Sequence, residues 1–127
     1  ALQRGAYVVT DRFTDSSYAY QGGGRGLDAD WIADLERRVV GLLPGLTLLL
    51  DVDVDVGRAR ANSRDMWPDR IENEQDDFFK RVREVFRGRA RDDAQRFALI
   101  DASQRQDRVA ADVVARVAQW LQEQERA

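Results

Sequence analysis

Hydrophobic positions along the chain fall into two kinds, short continuous runs and stripes at helical spacing. Ala6-Tyr7-Val8-Val9 predicts a buried strand over about residues 6–10. Leu46-Thr47-Leu48-Leu49-Leu50 is too short for a helix and predicts a strand covered on both faces. Phe97-Ala98-Leu99-Ile100 predicts a third strand, ending in Asp101. Between these runs the apolar spacing changes to that of helices. Trp31, Leu35, Val39 and Leu42/Leu43 predict a helix over about 31–43, capped by Asp28 or Asp30 and stopped by Pro44-Gly45. Asp53 is a plausible cap for a short helix from about Val54. Phe78, Val82, Val85 and Phe86, with Phe79 beside them, stripe a long helix over about 74–90. Val109, Val113, Val117 and Leu121 line a last helix over about 107–122. Strands alternating with helices predict an α/β fold with a parallel sheet, for which three strands are few. No internal repeat, low-complexity tract or interdomain linker interrupts the pattern, so one domain at most is expected.

The first predicted strand runs into Asp11-Arg12-Phe13-Thr14-Asp15-Ser16-Ser17-Tyr18-Ala19-Tyr20-Gln21-Gly22-Gly23-Gly24-Arg25. An isolated Asp-Arg pair is usually a surface ion pair. At a strand's carboxyl end, however, an arginine offers a planar anion-binding fork where α/β sheets bind ligands. A helical turn after it sets Ser16, Ser17, Tyr20 and Gln21 on neighbouring faces. Amides and hydroxyls suit a base edge, and tyrosine suits a sugar. The glycines from Gly22 to Gly26 read as a flexible connection; with no lysine and no strand leading directly in, they are not a phosphate cradle. Arg25 faces either a nucleotide or the surface.

Arg58, Arg60 and Arg64 precede a polar break, Ser63 to Arg70, that closes on Asp69-Arg70-Ile71-Glu72. Charge statistics alone favour a solvated helix end. Phosphoryl transfer gives the same arginines a use, because guanidinium matches phosphate geometry. The run Asp51-Val52-Asp53-Val54-Asp55-Val56-Gly57 fails as a calcium loop: its glycine is seventh rather than sixth, and the twelfth position is Asn62 rather than glutamate.

Composition narrows the chemistry. The 127 residues contain neither cysteine nor histidine, which excludes disulfides, thiolate metal sites and histidine-dependent triads. Twenty basic residues against 23 acidic ones give a net charge of −3, which predicts no nucleic-acid or anionic-membrane partner. No apolar stretch approaches the roughly 20 residues of a bilayer span. No signal-peptide pattern opens the chain, so a cytoplasmic location is the expectation. Lys80 is the only lysine, and it follows Phe78-Phe79 inside a helical stripe. No segment therefore reads as a Gly-x-x-x-x-Gly-Lys-Ser/Thr loop.

The run from Asp11 to Arg25 resembles the nucleoside-monophosphate signature of bacterial thymidylate kinases, with Asp-Arg, an aromatic, small polar residues and Ala-Tyr-Gln all retained. The resemblance implies a three-layer, parallel-sheet P-loop kinase fold of the nucleoside monophosphate kinase type, incomplete in this sequence. It implies that Arg12 binds the phosphate of dTMP, that Ser17 and Gln21 lie along the thymine with Ser16 in support, and that Tyr20 excludes a ribose 2′-hydroxyl. Asp11 would stand beside Mg²⁺ and the phosphates, directly or through water. Residues from about 58 to 72 resemble the lid of the subtype whose catalytic arginine sits there. Arg64 is the first choice for that arginine and Arg60 the second, and Arg58 or Arg60 flanks the adenine of ATP. Trp67-Pro68 looks like a local insertion. Asp101-Ala102-Ser103 either borders that adenine or forms an ordinary turn. Trp31, Trp120 and the phenylalanines are expected in the core or at a dimer contact, since family members are usually homodimers.

The resemblance spans the whole chain but corresponds to the later part of family members. Their first strand, phosphate loop, next helix and second strand have no counterpart in these residues. Residues 6–10 and 46–50 would flank that missing strand, leaving backbone groups unpaired at the sheet's centre. The expected parent activity is ATP-dependent phosphorylation of dTMP to dTDP, with the chain as the portion after the phosphate loop. The alternatives are a non-catalytic nucleotide- or partner-binding fragment, or a related deoxynucleoside or nucleotide kinase.

Overall fold

The structure is a computed structural model that describes residues 1–63 and 72–127. Its sheet has two strands among the described residues, β1 (Thr47–Asp51) and β2 (Phe97–Asp101). They are parallel and in register from Thr47 opposite Phe97 to Asp51 opposite Asp101, so both carboxyl ends finish in an aspartate. Both strands fall where the apolar runs predict them.

The strand expected at residues 6–10 does not form. That segment carries no strand pairing, and Val9 is 97% exposed. Backbone donors and acceptors make a strand only when a neighbouring ladder takes them up. Here β1 pairs with β2 on one side and has no strand on the other among the described residues.

α1 (Thr14–Ser17) continues into a wider, π-type winding over Tyr18–Gly24. The glycines of the signature are thus no flexible connection as far as Gly24. They let this segment press against α4 (Glu72–Asp92). A Cβ on Gly24 would overlap the Phe78 ring, and one on Gly23 would overlap Val85 and approach the Arg81 carbonyl at 3.2 Å. Arg81 closes the winding by donating to the carbonyls of Gly24 (3.0 Å) and Gly23 (3.3 Å).

α2 (Ala29–Leu35), capped by the Asp28 carboxylate on the Asp30 amide, continues as a π-type turn over Glu36–Val40. It ends at Gly41 in the left-handed region (φ 60°), ahead of the expected Pro44-Gly45 stop. Of the two expectations for Trp31, core or dimer contact, the core one fails, because the stripe it heads faces outward. Trp31, Leu35 and Val39 are exposed, while Ile32 is buried and Glu36 accepts from the Tyr18 hydroxyl. α3 (Val54–Asn62) begins on the Asp53 cap as expected. α4 and α5 (Gln106–Arg126) both run a little longer than their stripes predict.

The buried core is thin: Tyr18, Ala19, Ile32, Val82, Phe97, Ala98 and Ile100. It lies where α1, its continuation, α4 and β2 meet. Trp120 on α5 packs edge-on to Tyr7, with ring centroids 5.8 Å apart. No described helix is long and apolar enough to cross a membrane.

The glycine contact yields a direct test. Gly24→Ala should destabilise the fold by about 1–3 kcal/mol, because the added methyl has no room beside Phe78. Chemical denaturation of the two proteins measures this, and an unchanged midpoint would refute the close approach.

Candidate functional site

Site-bearing side chains gather at the turn from residues 10–13 into α1. Thr10 Oγ1 donates to the Arg12 carbonyl at 3.1 Å, and Arg12 itself adopts a left-handed backbone (φ 65°). A non-glycine residue pays strain there, so the surrounding structure must hold it. The consequence is that the Arg12 guanidinium lies over the Tyr20 ring, 4.9 Å from its centroid, with Nη2 3.4 Å from the phenol oxygen. Tyr20 is fixed from behind by Phe78 and Phe86 of α4, at centroid distances of 6.1 and 6.2 Å.

These groups open onto a cavity of about 1080 Å³. Asp11, Arg12, Ser16, Tyr20 and Arg58 line it together, so five residues singled out in the sequence share one space. Ser17 and Gln21 lie off its described lining, with Gln21 exposed. Much of the remaining wall is apolar, from Tyr7, Val8 and Val9 to the β1 leucines and Trp120.

Arg60 belongs to a second cluster. Its guanidinium donates to the carbonyls of Ala102 (2.5 Å), Ser103 (2.9 Å) and Gln104 (3.3 Å), joining α3 to the turn after β2. Within that turn the Ser103 amide donates to Asp101 Oδ1 at 2.9 Å and its hydroxyl at 2.5 Å. Those Ser103 bonds hold the Asp101 carboxyl below its usual range. The Arg58 guanidinium is ion-paired with Asp76 at the start of α4. Arg64, like Asp69, Arg70 and Ile71, lies outside the described residues.

Sequence reading missed the group that holds the site together. Asp15 is 4% exposed and accepts from Arg89 Nε (2.7 Å), Arg96 Nη1 (2.7 Å) and Arg96 Nη2 (3.1 Å). Arg96 also donates to Asp93 (2.7 Å) and Thr47 Oγ1 (3.0 Å), and Arg89 stacks on Tyr18 at 3.6 Å. The only sequence signal was an acidic residue between two small polar ones, with arginine partners 74 and 81 positions away. Burial alone would push the Asp15 carboxyl up, but the bonds and charges of Arg96 and Arg89 outweigh it and leave it below its ordinary 3.8. Bonding to Asp15 correspondingly raises Arg96 against the opposing effect of burial.

A second carboxylate is clasped the same way. Arg83 donates through Nε (2.9 Å) and Nη2 (3.1 Å) to Asp51 at the end of β1, and Arg87 approaches at 3.5 Å. Among the described residues no three potential ligands converge as a preformed metal cage. Exposed Asp11 is a single carboxylate beside an arginine, which suits a magnesium ion held mainly by substrate phosphates and water.

The Asp15 cluster gives a pH prediction. Since the folded carboxyl titrates below 3.8, its contribution is complete above about pH 4 and is lost as pH falls through the lower folded value. Asp15→Asn should therefore lower stability at neutral pH and flatten the acid limb of the stability–pH curve. Urea denaturation between pH 2.5 and 7 measures both, and parallel curves for the two proteins would refute the assignment.

Comparison with known proteins identifies the family. The thymidylate kinase family model matches residues 1–113. A thymidylate kinase of Chromohalobacter salexigens is 50% identical over 125 residues, covering 94% of this chain and 59% of that protein. One from Pseudomonas fluorescens is 56% identical over 105 residues, covering 82% of this chain and 50% of that protein. The crystal structure of thymidylate kinase from Ehrlichia chaffeensis superposes with a TM-score of 0.69 at 28% identity, covering 91% of this chain and 54% of that one. The chain thus spans between half and three-fifths of the length of these relatives, and over that span it belongs to the thymidylate kinase family.

Proposed function

We propose that this chain supplies the nucleotide-acceptor portion of a thymidylate kinase, which transfers the γ-phosphoryl group of ATP to dTMP and yields ADP and dTDP. The observation that carries the reading is the pairing of Arg12 with Tyr20 at the mouth of the cavity. A phosphate bound by Arg12 brings its sugar against Tyr20, and a rigid aromatic wall there leaves little room for a 2′-hydroxyl. Ser16 in the same lining, with Ser17 and Gln21 nearby in sequence, supplies polar groups for the base. The phosphate loop this chemistry needs would come from the part of the relatives' length that this chain does not span.

Residues 11–25 are then the dTMP-binding segment, residues from about 58 to 72 the lid, and 73–127 the helices and last strand that support both. Transfer forms a bond between a dTMP phosphate oxygen and the γ-phosphorus while the bond to the β-bridging oxygen breaks. The acceptor is already a phosphate oxygen, so neither histidine nor a covalent nucleophile is required. Arginines supply positioning and charge stabilisation. Arg64 is the proposed catalytic arginine, with Arg60 second. Arg58, Arg60 and the turn Asp101-Ala102-Ser103 form the ATP side, a grouping favoured by the bonds from Arg60 to that turn. Mg²⁺, held near Asp11 with the substrate phosphates, would neutralise their charge. The exposed line Trp31, Leu35 and Val39 on α2 and its continuation is the proposed face of a homodimer.

A coupled ADP-release assay with Mg-ATP on the protein carrying this chain tests the function. Turnover with dTMP and none with thymidine is the expected result, and the reverse preference would overturn it. Arg12→Ala should weaken dTMP binding by about 10–100-fold, the scale of a lost charge-assisted hydrogen bond. Arg64→Ala should lower kcat by about 10³ with little change in the KM for dTMP. An unchanged kcat would move the catalytic role to Arg60.

A further inference from the structure

The turn that places Arg12 is not self-supporting. Arg12 sits at φ 65°, and α1 begins two residues later with no side-chain cap from Phe13. The first firm tether after that turn is the Asp15 carboxylate, held by Arg89 from α4 and by Arg96 from the entry to β2. Arg96 also reaches Thr47 at the start of β1, so this one carboxylate refers the turn to the sheet and to α4 together. Tyr20 lies five residues further along the same winding and packs on the same helix through Phe78 and Phe86. Asp15 itself is buried, whereas Arg12 is exposed, and both contribute to the lining of the one cavity.

We infer that Asp15, clamped by Arg89 and Arg96, is a positioning residue that fixes the spacing of Arg12 to Tyr20 and thereby sets discrimination between deoxyribo- and ribonucleoside monophosphates. The inference rests on reading residues 11–25 as the monophosphate site. A clamp of this kind acts by removing alternatives. With Asp15 neutralised, the turn relaxes toward ordinary backbone geometry, Arg12 leaves the Tyr20 ring, and the sugar no longer meets a wall at fixed distance. Loss of phosphate affinity and loss of sugar discrimination then occur together, although the hydrogen bonds of Asp15 go to Arg89 and Arg96 and not to Arg12 or Tyr20.

Calorimetric titration of the purified protein with dTMP and with ribothymidine 5′-monophosphate tests this. The readout is the ratio of the two dissociation constants, because a smaller folded fraction scales both equally and leaves the ratio unchanged. Asp15→Asn should weaken dTMP binding about tenfold and reduce the preference for dTMP by about threefold or more. Arg89→Gln, which leaves Arg96 on Asp15, should move the ratio in the same direction by less, and it decides the matter if Asp15→Asn does not fold. Arg89→Lys, retaining the cation, should restore most of the preference. An unaltered ratio in a folded variant would overturn the positioning role alone. Failure of the unsubstituted protein to bind dTMP would overturn the site reading and this role with it.

Discussion

One buried carboxylate, Asp15, is the point on which the geometry of this protein depends. Taking a carboxylate out of water is costly, and a single cation rarely offsets that cost. Here two guanidinium groups occupy both oxygens, one of them bidentate, and the Asp15 carboxyl stays ionised despite its burial. The two cations come from different elements, α4 and the segment entering β2. The clamp is therefore less a source of net stability than of specificity: it permits one relation between α1, α4 and the sheet. Removing either partner leaves charge buried without compensation, so alternatives to that relation are disfavoured.

α4 is the element through which this relation spreads. Near its start, Asp76 pairs with Arg58 of α3. Within the next three turns, Phe78 and Phe86 back Tyr20, while Arg81 closes the glycine winding. Arg83 and Arg87 hold Asp51 at the end of β1, and Arg89 reaches Asp15. A single helix thus fixes the arginine-rich α3, a strand end and the segment from Asp15 to Gly24 against one another. Arginine suits this duty better than lysine, since a planar fork engages two acceptors in fixed directions. The α4 cations that reach these partners are all arginines, and Lys80 is the chain's sole lysine.

Local rules made most elements legible before the structure. β1, β2, α4 and α5 carry apolar runs or stripes, α3 was placed by its cap, and Asp28 and Asp53 act as the caps their positions suggested. Arg12, Ser16 and Tyr20 line one cavity, whereas Ser17 and Gln21 of the same motif lie off its described lining. What was illegible depends on partners distant in sequence. The apolar segment 6–10 looks like a strand, but strand formation is a property of a pair, and its ladder is absent. Gly22 to Gly24 read as a loop because glycine permits loops; only the approach of Phe78 and Val85 reveals that they serve close packing. On α2 the spacing of Trp31, Leu35 and Val39 defined a stripe without saying which way it faces. Tyr18 and Glu36 decide that, through a hydrogen bond no periodicity encodes.

The open side of β1 links the fold to its chemistry. β1 and β2 both end in aspartates at one edge, and the proposed phosphate-handling arginines cluster around that edge. A parallel strand laid along the free side of β1 would cover leucines that now line the cavity and would pair the backbone groups of residues 47–51. Its carboxyl end would emerge beside Asp51 and the turn at Arg12. Any loop following such a strand would face Arg12 and Tyr20 on one side and the Arg60 cluster on the other. α4 contacts both Arg58 of α3 and Tyr20, so the two sides of that space are tied to one helix. On the proposed function, the transferring phosphoryl group would lie between the Arg12–Tyr20 pair and the Arg60 cluster.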